Sequence, residues 1–68
     1  MTTTKSKYYN TFVALYNESV KHDNALGKCD HSWARQLART WASINLKNKN
    51  AIEKFMSEWD DFYYHMFD

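Results

Sequence analysis

The chain has no proline, a single glycine and a single cysteine among its 68 residues. A lone Cys29 excludes an internal disulfide and suits a reducing compartment. With one glycine and no proline, most breaks between elements have to be read from weaker signals. No apolar run approaches the ~18 residues of a membrane span, and no apolar segment follows the charges of the MTTTKSK start as a secretory leader requires. These absences predict a soluble, cytoplasmic chain with no membrane partner. Catalytic signatures are missing too: there is no glycine-rich phosphate loop, nucleophile elbow or zinc-protease helix. Asp60 and Asp61 are adjacent, so on a helix they point about 100° apart and cannot work as a carboxylate dyad. Cys29 and His31 lie two residues apart in a loop, which gives no activated thiolate. Neither an enzyme nor a cofactor is expected.

What the chain does have is rings. Twelve of its residues are Phe, Trp or Tyr, and each one buried removes on the order of 150–250 Å² from water. A single domain this short sits near the lower limit for a core without disulfides or metal, so these rings either fill the interior or wait for a partner. The formal net charge of +1 conceals a division. Residues 1–50 carry eight Lys/Arg against three Asp/Glu, and residues 51–68 carry one against five. Such a molecule is a dipole rather than a neutral body.

The spacing predicts three helices and no strand. Residues 1–5 are polar and without periodicity, and read as a disordered tail ahead of one domain spanning 6–68. A first helix, 6–23, shows an apolar stripe at Tyr9, Phe12, Val13, Tyr16 and Val20. The segment His22 to Asp30 contains the turn formers Asp23, Asn24 and Gly27, with Leu26 expected to plug the turn and Asp30 or Ser32 to cap the second helix. That helix, 31–46, places Trp33, Ala34, Leu37, Ala38, Trp41 and Ile44 inward, the alanines permitting close approach of a neighbour. After the NLKNKN break, Asn50 and Glu53 have the form of a capping box and start a third helix, 51–67. Its large apolar residues fall at Ile52, Met56, Trp59, Tyr63 and Met66, with Phe55, Phe62 and Phe67 widening the face. The expected fold is an all-α, compact three-helix bundle.

Two surfaces compete for a functional role. Arg35 and Arg39 share a ridge of the second helix, with Lys47 and Lys49 just beyond, and a helix–turn–helix-like entry would let this basic face bind nucleic acid. Near-zero net charge and the acidic third helix oppose that use. On the third helix, Asp60, Asp61 and Tyr64 form a ridge beside the apolar stripe, and tyrosine is enriched at binding hot spots. Phe62, Met66 and Phe67 form an end that two short neighbours are not expected to cover fully. Ile52, Phe55, Met56, Trp59 and Tyr63 belong to the fold. His22, Asp23, Cys29, Asp30 and His31 crowd ten residues, yet structural zinc needs a second ligand pair that only His65 could begin to supply, so no metal is expected.

In size, helical content, Asn/Lys/Tyr-rich composition and lack of catalytic motifs, the chain resembles the small inhibitor proteins encoded by phages and mobile elements, anti-CRISPR and anti-restriction proteins among them. The resemblance runs over the whole chain, is carried by no motif, and implies a protein of the host cytoplasm; that it would block a basic groove follows from the acidic, aromatic-bearing helix. The function expected is therefore binding to another protein through the acidic helix. The alternatives are a DNA-binding regulator using the basic face and self-association through leftover apolar surface.

Overall fold

Residues 7–66 are described by the computed structural model. They form α1 (Tyr9–Leu26), α2 (His31–Asn45) and α3 (Lys49–His65), with no strand among the described residues. The chain is an all-α three-helix bundle. The expected tail, the expected start at Ser6 and the expected end at Phe67 lie outside the described residues.

Each helix end has its own chemistry. Tyr8 precedes α1 and makes no side-chain cap bond; its ring is instead held 5.0 Å from Phe55 and 6.3 Å from Trp41, so packing fixes this end. At the other end Asp23 and Asn24 stay helical, and α1 stops only at Gly27, whose φ of +84° is left-handed. Glycine alone adopts that conformation without a Cβ penalty. Asp30 caps α2, its carboxylate accepting from the Trp33 amide at 2.9 Å. Asn48 rather than Asn50 caps α3, accepting from the Asn50 and Ala51 amides at 2.8 and 3.1 Å. Half-buried Leu46 packs on the core and anchors the extended link, which frees the next asparagine to begin the helix two residues earlier than the capping-box pattern suggests.

On α2 the buried residues are Ala34, Ala38 and Ala42, one every four positions. A ridge of methyl groups lets backbones approach closely, which makes α2 the inner helix of the bundle. Large side chains fill the space between α1 and α3. The Phe12 ring lies 5.1 Å from Phe55, 5.7 Å from Trp59 and 5.4 Å from Phe62, while Trp41 stacks on Phe55 at 5.1 Å. These separations suit offset and edge-on ring pairs, each adding roughly 0.5–1.5 kcal/mol beyond area burial. Ser19 is the one buried polar residue among those described, and its hydroxyl donates to Leu15 O at 3.1 Å.

Four apolar residues depart from expectation, Tyr9 of the expected α1 stripe among them at 40% exposed. Ile44 is 63% exposed because it lies about 120° round the helix from Ala38, and Ala42 takes the inward place. Leu26, 48% exposed, does not plug the turn; it falls on the inward stripe of α1 but nearly a turn beyond half-buried Asp23. Val20 is also exposed. The Cα envelope measures 35 × 33 × 16 Å with a radius of gyration of 12.1 Å, above the ~10–11 Å of a rounded domain of this length. The bundle is flattened.

Candidate functional site

Three rungs tie α2 to α3. His31 meets Tyr63, Arg35 meets Asp60, and Trp41 meets Phe55. As one number rises the other falls, so the helices run antiparallel, and the basic flank of α2 is set against the acidic flank of α3.

The middle rung joins the two surfaces expected to compete. Arg35 Nε donates to Asp60 Oδ1 and Nη2 to Oδ2, both at 3.1 Å. This two-pronged geometry is the one a guanidinium adopts on a carboxylate. The hydrogen bond, and then the charge, of Asp60 hold the Arg35 guanidinium above its ordinary value. Both side chains are partly open to water, so the pair contributes little stability, roughly 0–1 kcal/mol.

Beyond this pair the last turns of α3 face outward. Asp61 is exposed and has no partner among the described residues, while Tyr64 is 52% exposed and Met66 49%. Asp60, Asp61, Tyr64 and His65 line a shallow, open depression. Phe62 does not belong to this open end. It is half-buried, with Tyr9, Tyr16 and Trp59 at 6.0–6.3 Å and Phe12 at 5.4 Å from its ring, because α1 supplies three rings that close over it. Phe67 lies outside the described residues.

On the basic side, Arg39, Lys47 and Lys49 are exposed and form no ion pair among the described residues. Arg35 is set apart from them by its carboxylate. The α1–α2 turn is tied internally: Asp23 Oδ1 accepts from the Asp30 amide at 3.2 Å, and the His22 ring stacks on Trp33 at 3.8 Å. Cys29 is exposed. No three His, Cys, Asp or Glu side chains among the described residues converge as a metal site would require.

The first rung carries a buried phenol. Tyr63 is 2% exposed, and its hydroxyl shares a hydrogen bond of 2.7 Å with His31 Nδ1. Burial, and next the nearby Asp23 carboxylate, push the phenol up to about 12. It therefore stays neutral across the physiological range.

No helix among the described residues is long and apolar enough to cross a membrane. Comparison with protein-family models, curated proteins and solved structures finds no match to this chain. The rung between Arg35 and Asp60 was missed by sequence reasoning. Its signal was present: Arg35 is the fifth residue of α2 and Asp60 the sixth from the end of α3, opposite charges at matching heights on antiparallel neighbours.

Proposed function

We propose that the chain is a small non-enzymatic binding protein whose acidic, aromatic ridge on α3 docks against a basic groove of another protein, in the manner of an inhibitor encoded by a phage or mobile element. The observation that carries this reading is the Arg35–Asp60 pair. It neutralises one of the two arginines on which a nucleic-acid reader would depend and sets a carboxylate where a phosphate would have to lie. Asp61 and Tyr64, next to it, face outward, a charge and a ring of the kind found at interface hot spots. Charge complementarity of this kind guides encounter and excludes wrong partners.

The test is capture of binding proteins from the source cell by the wild type and by Asp61→Lys/Tyr64→Ala. Both positions are exposed, so the fold is retained, and the variant is expected to lose the partner. Equal recovery removes α3 from the interface. The second reading, a DNA-binding regulator, is supported by Arg39, Lys47 and Lys49, which remain available to phosphates. Three such contacts predict a slope of log affinity against log salt near about −2.7 on duplex DNA. A flat salt response, unchanged by Arg39→Ala, removes it.

A further inference from the structure

The ridge on α3 already holds one guanidinium. Arg35 lays two of its nitrogens against both oxygens of Asp60, which leaves the neighbouring carboxylate, Asp61, as the unpaired one. Tyr64 stands three residues beyond Asp61, close enough on a helix for the two side chains to be met together. The depression they line with Asp60 and His65 is open to solvent, so an extended side chain from another molecule can enter it without displacing anything. The charge of the C-terminal segment, five Asp/Glu against one Lys over residues 51–68, selects a cation.

The choice between cations rests on shape. An ammonium meets a carboxylate as a compact, strongly hydrated point charge. A guanidinium is planar, gives up its water more easily, pairs with a carboxylate through a fork and can stack on a ring at the same time. Asp61 and the Tyr64 ring line the same depression; the ring leans on Tyr63 and His31, 5.2 and 6.1 Å away, and stays about half open to solvent, so those two partners are offered together. Resting on the reading of this ridge as a docking surface, we propose that it accepts an arginine of a basic partner segment, paired to Asp61 and stacked on Tyr64, and prefers arginine to lysine. Arg35 neutralises Asp60 and so limits the ridge to one incoming arginine.

The probes are fluorescently labelled hexa-arginine and hexa-lysine, titrated with the full chain at low salt and read by anisotropy. Hexa-arginine is expected to bind about two- to fivefold more tightly than hexa-lysine, the range of an exposed cation–π contact. Tyr64→Leu shrinks that preference. Asp61→Asn weakens both peptides, hexa-arginine the more because it loses the fork as well as the charge, and Arg35→Ala, by releasing Asp60, tightens hexa-arginine. A helical signal equal to that of the wild type, with a cooperative melt, shows that each variant folds. Equal affinity of the wild type for the two peptides, or a preference undiminished by Tyr64→Leu, overturns the arginine assignment and leaves the docking surface standing. Binding of neither peptide overturns both.

Discussion

Phe55 is held in the core by both other helices, and its truncation gives a sharp test. Its side chain is fully buried and its ring is met by rings from both other helices and from the start of the chain: Phe12 at 5.1 Å, Trp41 at 5.1 Å and Tyr8 at 5.0 Å. Replacing it with alanine removes the transfer energy of the ring and leaves a cavity, together costing about 3–5 kcal/mol. A domain of this length has a total stability of roughly 3–10 kcal/mol. Phe55→Ala is therefore expected to be largely unfolded or to melt far below the wild type. Phe55→Leu keeps most of the volume and costs about 1–1.5 kcal/mol. At about 4–8 °C per kcal/mol for a chain of this size, that variant melts roughly 4–12 °C lower. Thermal and urea unfolding followed by far-ultraviolet circular dichroism measures both. An alanine variant that melts within a few degrees of the wild type would falsify the claim that the three helices converge on this ring.

Other perturbations rest on single observations. Gly27→Ala forces a Cβ into a left-handed conformation at a position where no neighbouring atom crowds it, so the cost is purely backbone, about 1–2 kcal/mol; Gly27→Asn is expected to cost less in the same melting experiment. Arg35→Ala lowers stability by less than ~1 kcal/mol, and the difference from wild type shrinks further in high salt, because the pair it breaks is partly solvated. Tyr63 has a folded value of about 12, raised above the ~10 of an unfolded tyrosine. Its contribution is therefore fully present below pH ~10 and lost as pH rises towards 12. The melting temperature of the wild type should fall across that window more steeply than that of Tyr63→Phe; parallel curves would show that the buried phenol does not couple to folding.

The parts of the fold that were legible are those governed by periodicity. Stripes through Phe12, Ala34, Ala38, Phe55, Met56, Trp59 and Tyr63 are all buried, and any residue set spaced three and four apart points the same way on a helix. Hydrophobicity misled where packing follows size. Ile44 looked more inward than Ala42, but on the face where backbones approach most closely the smaller residue fits. The α3 start was ambiguous because NLKNKN offers three asparagines of equal capping ability, and only the anchoring of Leu46 on the core decides among them. The candidate site was legible residue by residue and not as an arrangement. Tyr64 and Asp61 could be set outside the apolar stripe from helical phase alone. The joining of Arg35 to Asp60, 25 positions apart, depends on the register of α2 against α3, and the covering of Phe62 on rings that α1 brings from the other side.

The flattened outline of the bundle bears on stoichiometry. A standard protein interface covers about 800 Å² on each partner, roughly one-sixth of the 5010 Å² that this chain exposes. A plate 35 by 33 Å across and 16 Å thick has two broad sides and a narrow rim, and a footprint of that size occupies most of one side. Because α2 and α3 lie next to each other, a macromolecule seated over their seam spans Arg39, the Arg35–Asp60 rung and Tyr64 together. On the proposed reading, the acidic ridge and Arg39 then fall under one footprint and would compete for a single occupant. Titrated with a full-sized partner of the seam, the chain should saturate at one molecule.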